Sequence, residues 1–158
     1  MKKLIITALL CLLSLTDYSQ TSKLDSFLNV WIGAPYRYGG TTLNGIDCSG
    51  FVQKMYEDVF DVLIPRTAKT QYKAATKIPK DEISLGDLLF FMSDASPSGW
   101  HVAVYLGNNL YAHAANRRTG VVMSELTTSV RKRIYAVGRF DNPKFDLYFY
   151  LKDIKALK

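Results

Sequence analysis

Two stretches in the first part of the chain repeat apolar residues at the spacing of an amphipathic helix. The first is "TSKLDSFLNVWIG", where Thr21 or Ser22 is the expected N-cap and Gly33 the expected stop. The second begins at Cys48, with Asp47 in the N-cap position. The apolar positions are Leu24, Phe27, Leu28 and Trp31 in the first stretch, and Phe51, Val52, Met55, Tyr56 and Val59 in the second.

The remaining segments of the central region have other patterns. "APYRYGGTTLNGI" contains a proline and three glycines and predicts an ordered loop, and "PRTAKTQYKAATK" predicts a short helix capped by Thr67. Five later segments have the composition of strands: "LLFFM", "HVAVYL", "LYAHAA", "GVVMSEL" and "IYAVGRF". Helices followed by strands predict an α+β fold with an antiparallel sheet.

The two ends of the chain differ from this central region. Residues 1–19 begin with two lysines, continue with an apolar run that includes Cys11, and end in small and polar residues, as a secretory signal peptide does. We expect one mature domain over residues 20–142 and an extension over residues 143–158 that adds an edge strand. Signal cleavage lowers the net charge from +6 to +5, and a basic exported protein favours anionic surroundings such as cell-wall polymer or lipid headgroups over nucleic acid.

Cys48 is the only cysteine that remains after the predicted signal cleavage. Cysteines in an oxidising compartment normally pair, so an unpaired thiol is either a buried, inert side chain or a reactive one. At the first turn of a helix, backbone N–H groups and the helix macrodipole favour the thiolate over the thiol. The position therefore favours a nucleophile, which needs a base within hydrogen-bonding distance.

The sequence contains two histidines, His101 and His113, and both lie in one predicted hairpin, "HVAVYLGNNLYAHAA". A three-residue "GNN" loop pairs Leu106 with Leu110 and keeps the apolar residues of both strands on one face. Both histidines then point to the other face, diagonal to each other. A two-residue "NN" turn would place them on opposite faces. The hydrophobic pattern favours the longer loop and thus a Cys-His-His group, although either histidine alone can be a satisfied core or surface residue.

Metal binding is the competing use of one cysteine and two histidines. Their spacing is wide, and the sequence shows no fourth Cys, His or short carboxylate motif that would complete a zinc site. Zinc would also occupy the lone pairs that acid–base catalysis needs. We therefore expect neither a metal ion nor another cofactor.

The chain resembles the NlpC/P60 cell-wall cysteine peptidases in five successive motifs between about residues 33 and 125: "PYRYGG", "GIDCSGFV", "IPRT", "SLGDLLFF" and "HVAVYLGNNLYAHA". The resemblance implies a papain-like α+β fold, with N-terminal helices packed on an antiparallel sheet of about five or six strands. It also implies Cys48 as nucleophile, His101 as base and His113 as the residue that orients the base. Enzymes of this kind cut peptidoglycan stem peptides, commonly between D-glutamate and a diamino acid.

Four further residues match family positions. Tyr36, twelve residues before Cys48, corresponds to a tyrosine whose hydroxyl helps to hold the oxyanion. Asp47 and Ser49 correspond to residues that hold the free amine of the stem peptide, and Asp47 also fits the role of helix cap. Arg66 matches a Pro-Arg step and either meets a substrate carboxylate or locks its loop by an ion pair.

These features predict an exported, monomeric cysteine peptidase of the periplasm or the cell exterior, associated with the cell wall. Its partner is the peptidoglycan stem peptide, with no nucleic acid and no membrane segment after signal cleavage. Two rim loops, "SDASPSGW" and "RRTG", are particular to this chain, and loops of this kind choose substrates. The alternatives are a catalytically silent wall-binding module, and an acyltransferase or lipase that uses the aromatic tail to bind lipid.

Overall fold

The computed structural model describes residues 23–140, so the predicted signal peptide, Cys11, the N-cap of the first helix and the C-terminal extension lie outside it. Helix α1 covers residues 23–31 and ends before Gly33, whose φ is +88°. A positive φ terminates a helix, and glycine adopts it without a steric cost, as the sequence predicts. The apolar residues of α1 are buried, as expected: Leu24, Phe27, Leu28 and Trp31.

Three further helices follow. Helix α2 is Cys48–Phe60, and its five predicted core positions are all buried. Helix α3 is Ala68–Ala74, capped by Thr67 as predicted. Helix α4, Thr128–Arg133, was not predicted, because none of its side chains is buried and hydrophobic periodicity therefore gives no signal there.

The described residues form eight strands, arranged as one small ribbon and one large sheet. Strands β1 and β2 pair within the segment that was predicted to be an irregular loop, and the other six form an antiparallel sheet in the order β3-β8-β4-β5-β6-β7. Five of those six were predicted, β3 being the exception. The strands are β1 Thr41–Thr42, β2 Gly45–Ile46, β3 Thr76–Ile78, β4 Leu88–Met92, β5 Trp100–Gly107, β6 Leu110–Asn116, β7 Gly120–Glu125 and β8 Ala136–Arg139.

The large sheet has apolar residues on both faces. Helices α1 and α2 cover one face and form the main core with it. The other face carries a second buried cluster, in which Leu126 and Ile134, at the two ends of the α4 segment, cover Ala103, Tyr105 and Tyr111. The sequence predicted only one core face, because it gave no sign of the α4 segment. Within residues 23–140, no helix is both long and apolar enough to cross a membrane.

The turn between β5 and β6 differs from the prediction. It is the two-residue turn Asn108-Asn109, with φ values of +48° and +59°, and not a three-residue loop. The ladder is irregular between Tyr105 and Gly107, so Leu106 is an extra residue in β5 and Gly107 pairs with Leu110. The predicted pairing of Leu106 with Leu110 is therefore wrong.

The irregularity nevertheless preserves the predicted register along the rest of the hairpin. Val104 pairs with Ala112, as the longer loop would require. His101 and His113 consequently lie on the same face, and their rings are hydrogen-bonded. A two-residue turn places the histidines on opposite faces only in a regular ladder, and the extra residue in β5 removes that consequence.

Candidate active site

The Cys48 thiol lies at the first turn of α2 and is only 5% exposed. The helix begins there because the Asp47 side chain accepts the backbone N–H of Gly50 at 2.7 Å. Gly50 also lets the preceding loop pack closely, since a Cβ at this position would lie 2.7 Å from the carbonyl oxygen of Gly40. The helix cap and the loop together hold Cys48 in place at the wall of a cavity.

Burial raises the pKa of the Cys48 thiol to about 11. Backbone N–H groups of Val102 and Ser49 favour the thiolate, but they do not offset the burial, and the negative charge of Asp47 acts in the same direction as burial. The lowered pKa expected from the helix position is therefore wrong for the protein without substrate. The interaction with Val102 also places the sulfur beside β5, at the residue that follows His101 in the chain.

The two histidines and a serine form a chain of hydrogen bonds across three adjacent strands. His101 Nε2 lies 2.8 Å from His113 Nδ1, and His113 Nε2 lies 3.3 Å from Ser124 Oγ. Sequence reasoning missed Ser124 because a lone serine in a strand carries no motif. The signal available was its position two residues from Val122, which pairs with His113, so that Ser124 lies on the same face as the histidine.

Burial lowers the pKa of both histidines. The value for His101 falls to about 4, and that for His113 falls to about 3 because the neighbouring His101 adds to the effect of burial. Both rings are therefore neutral at neutral pH. A neutral imidazole has one nitrogen that accepts a proton, so His101 is able to act as a base.

Arg66 forms the ion pair that the sequence left open. Its Nη1 and Nη2 atoms donate to the two carboxylate oxygens of Asp47, each at 2.9 Å. Nη1 also donates to Ser49 Oγ at 3.1 Å, and Nη2 to the Gly40 carbonyl at 3.0 Å. This bidentate arrangement ties the loop before α2 to the loop before α3.

The carboxylate of Asp47 accepts hydrogen bonds on both of its oxygens. Besides Arg66 and the N–H of Gly50, the N–H of Gly39 donates to it at 2.7 Å. Burial by itself would raise the pKa of Asp47, but the hydrogen bonds from Arg66 and Gly50 outweigh it and the pKa is lowered. Asp47 is thus an ionised helix cap whose charge is balanced by Arg66.

A buried glutamine supports the same region. Gln71 Nε2 donates to the carbonyl oxygens of Ser49 at 3.0 Å and Pro65 at 2.8 Å, which joins α3 to the first turn of α2. The side chain is completely buried. Sequence reasoning did not single out Gln71, because a glutamine in a polar helix looks like an exposed residue.

The cleft consists of two cavities that meet at Tyr36. A cavity of about 300 Å³ lies beside Cys48 and Arg66, and a cavity of about 220 Å³ lies beside His101. Tyr36, Tyr38 and Ser96 line both. Burial, together with the nearby Cys48, raises the pKa of Tyr36 to about 12, so its hydroxyl keeps its proton and can donate a hydrogen bond.

Six of the seven residues that the sequence singled out line the two cavities of the cleft, and the seventh, His113, lies behind His101 and is hydrogen-bonded to it. In the part of the chain from residue 23 to residue 140, no group of three or more His, Cys, Asp or Glu side chains is arranged to hold a metal ion. Tyr36 lines both cavities, so it lies between the cavity lined by Cys48 and the cavity lined by His101, whose ring is hydrogen-bonded to His113. Residues 33–139 match the model of the NlpC/P60 family.

The chain belongs to the NlpC/P60 family. It is 46% identical over 103 residues to the probable endopeptidase NlpC of Escherichia coli strain K12, an alignment that covers 65% of this chain and 66% of that protein. It is 37% identical over 109 residues to the murein DD-endopeptidase MepS/murein LD-carboxypeptidase of the same strain, covering 69% of this chain and 56% of that protein. The chain therefore spans less than two thirds of the length of either relative.

The fold is also that of solved members of the family. The crystal structure of the NlpC/p60 domain of the peptidoglycan hydrolase SagA superimposes with a TM-score of 0.61 and is 30% identical in sequence. The similarity covers 76% of this chain and 98% of that domain. The antiparallel six-stranded sheet with its helices is accordingly the papain-like α+β fold of the NlpC/P60 family.

Proposed function

We propose that this protein is a cysteine peptidase that hydrolyses the stem peptides of peptidoglycan. The observation that carries the proposal is that His101, hydrogen-bonded to His113, lines a cavity that shares Tyr36 with the cavity lined by Cys48. The names of the relatives, endopeptidase and murein endopeptidase, support the same class of substrate. In this proposal Cys48 is the nucleophile, His101 the base and His113 the residue that orients the base.

The hydrogen-bond pattern supports Nδ1 of His101 as the nitrogen that takes the proton from Cys48. His113 occupies Nε2 of His101, which leaves Nδ1 for the Cys48 thiol. Nε2–H of His101 then donates to Nδ1 of His113, and Nε2–H of His113 donates to Ser124. Since thiol and imidazole both rest in their neutral forms, the proton moves from Sγ to Nδ1 as the sulfur attacks the amide carbonyl.

The attack places negative charge on the carbonyl oxygen. The hydroxyl of Tyr36 and the backbone N–H groups at the start of α2 stabilise that charge. The imidazolium of His101 then transfers its proton to the leaving amine, which leaves an acyl thioester on Cys48. Water hydrolyses the thioester with His101 acting as base, and the free thiol is restored.

The proposed bond is that between D-glutamate and the diamino acid of the stem peptide. Asp47 and Ser49 would hold the free amine of the acyl half, and Arg66 fixes both of them in place, as its hydrogen bonds show. The name of one relative, a murein DD-endopeptidase, favours a second candidate, a bond between two D-amino acids. The two bonds give fragments of different mass.

Export is part of the proposal. Residues 1–19 would direct the chain out of the cytoplasm, residues 20–142 would form the catalytic domain, and residues 143–158 would add an edge strand. The positive net charge of the chain favours contact with the anionic cell wall.

Digestion of purified peptidoglycan tests the proposal. The full chain should release soluble fragments from walls of the diaminopimelate or lysine type, and mass spectrometry identifies the bond that was cut. Cys48→Ala, which removes only the sulfur, serves as the matched control and should release none. Binding to the wall without release of fragments would indicate the silent binding module, and release of fatty acid from lipid would indicate the lipase.

A further inference from the structure

The cavity on the His101 side of the cleft is lined by a single charged residue. Tyr36 and His101 lie on its inner side, and Arg117, in the turn between β6 and β7, lies at its rim. No other Arg or Lys, and no Asp or Glu, lines this cavity. Within residues 23–140, the guanidinium of Arg117 forms no hydrogen bond or ion pair with another side chain. It is therefore available to a ligand.

The turn that carries Arg117 is held in one conformation. Asn116 Oδ1 accepts the backbone N–H groups of Arg118 at 2.9 Å and Thr119 at 3.1 Å. Gly120 has a φ of +67° and lies so close to the preceding loop that a Cβ would be 2.3 Å from the carbonyl oxygen of Ala34. That loop leads directly to Tyr36. The turn is thus fixed relative to the tyrosine of the cleft, as a preorganised binding group requires.

Arg117 also acts electrostatically inside the cleft. Burial raises the pKa of Tyr36, while the positive charge of Arg117 acts in the opposite direction. The guanidinium and the tyrosine hydroxyl are therefore close enough to interact through the cavity.

The proposed mechanism indicates which half of the substrate lies in this cavity. In the proposed function, on which this inference rests, His101 gives its proton to the leaving amine, so the half of the peptide that departs must lie beside His101. We infer that Arg117 binds a carboxylate on the leaving half of the stem peptide, and that the enzyme prefers stem peptides in which this carboxylate is free. The leaving half offers two such groups, the side-chain carboxylate of diaminopimelate and the C-terminal carboxylate of the peptide.

Arg117→Gln tests the inference, with Arg118→Gln as the matched control, because Arg118 lies in the same turn but does not line the cavity. Three synthetic stem peptides that contain diaminopimelate are compared. One has both carboxylates free, the second has the side-chain carboxylate amidated, and the third has the C-terminal carboxylate amidated. Circular dichroism confirms that each variant is folded.

Arg117→Gln should lower kcat/KM for the peptide with both carboxylates free by about tenfold, mainly through KM, because a charge-assisted hydrogen bond is lost. Wild type should lose a similar factor on one of the amidated peptides, and Arg117→Gln should cause no further loss on that peptide. The amidated peptide on which this happens identifies which carboxylate is bound. Arg118→Gln should stay within about twofold of wild type throughout.

Three results would overturn the inference and leave the proposed function standing. These are an effect of Arg117→Gln below twofold on all three peptides, an equal loss on all three, and an equal loss in Arg118→Gln. A wild-type protein that cleaves none of the peptides and releases nothing from peptidoglycan overturns the proposed function together with the inference.

Discussion

The two sides of the cleft are held together in different ways. The thiol side, which consists of residues 47–49 and Arg66, is cross-linked by the bidentate ion pair and by backbone donors on each oxygen of Asp47. The histidine side, which consists of His101, His113 and Ser124, is one chain with a single hydrogen bond at each link. The thiol side is a cross-linked network, and the histidine side is a chain of hydrogen bonds that can position a proton.

This difference indicates what each side contributes to the site. On the thiol side the charges of Asp47 and Arg66 balance, so the network supplies shape and stability to the turn that presents Cys48. On the histidine side the pKa values are lowered by burial, so the rings are neutral imidazoles, and the hydrogen bond between them orients them. Substitutions on the two sides should accordingly affect different measurements.

The largest effect should come from His101→Ala. A positioned general base contributes about 10²- to 10⁴-fold, so kcat should fall by at least that factor. Steady-state kinetics on a short D-glutamyl diamino-acid peptide measures this, with circular dichroism to show that the variant is folded. Retention of more than a tenth of the wild-type kcat would remove His101 from the role of base.

Breaking the ion pair of the thiol side should have a large effect on stability. Arg66→Met leaves the carboxylate of Asp47 buried without its partner, and should lower the free energy of unfolding by about 2–3 kcal/mol, since Arg66 is partly exposed. Chemical denaturation measures this. Activity should fall as well, because the turn that carries Cys48 loses its support.

The pair Asp87–Arg139, away from the cleft, provides a matched control. The two arginine side chains are 31% and 36% exposed, and the carboxylates of Asp47 and Asp87 belong to side chains that are 7% and 2% exposed. Arg139→Met should therefore destabilise the protein to a similar extent but leave kcat/KM of the folded fraction unchanged. Equal losses of activity in both variants would show that Arg66 acts through global stability alone.

The pH dependence should distinguish the histidine side from ordinary exposed histidines. The proposed mechanism needs neutral His101, so kcat/KM should fall as the pH drops through about 4, and not near the usual histidine value of 6.5. Because the pKa values in the folded state lie below 6.5, the unfolded state binds more protons below that pH. The contribution of the two histidines to the free energy of unfolding is therefore complete above pH 6.5 and is lost as the pH falls towards 4 and 3.

Two measurements check this pair of expectations. A pH–rate profile locates the acid limb, and denaturant titrations between pH 7.5 and 4 follow the free energy of unfolding. An acid limb near pH 6.5 combined with a flat stability profile would mean that the pKa values of the histidines are not lowered in the folded protein.

The smallest effects are expected further along the hydrogen-bond chain. His113→Asn keeps a polar partner for His101 and should cost distinctly less kcat than His101→Ala. Ser124→Ala removes a hydrogen bond of 3.3 Å and should cost about threefold. The same peptide assay ranks the three variants. A greater loss for His113→Asn than for His101→Ala would make His113 the base.

Much of the fold follows from local sequence patterns. Periodicity, or a capping residue visible in the sequence, predicts the core positions of α2, the caps Asp47 and Thr67, and strands β4 to β8. Elements without such a signal were missed. Helix α4 buries no side chain, and β3 is only three residues long and largely exposed.

The site shows the same division. Cys48, His101 and His113 were found because their residue types are rare in this chain and their strand and helix positions are regular. Features that depend on tertiary packing were not predictable from the sequence. They are the extra residue Leu106, the pKa of Cys48 and the hydrogen bonds of Ser124 and Gln71. A helix N-terminus favours a thiolate, but the degree of burial decides the outcome, and burial is a property of the folded chain.

The formation of an acyl-enzyme on Cys48 tests the central claim most directly. Full chain mixed with a D-glutamyl diamino-acid peptide is quenched in acid within the first turnover, digested and analysed by mass spectrometry. We predict that the peptide containing Cys48 gains the mass of the D-glutamyl acyl fragment, and that the adduct is absent from Cys48→Ala. An adduct on any other residue, or hydrolysis at the wild-type rate by Cys48→Ala, would contradict the account.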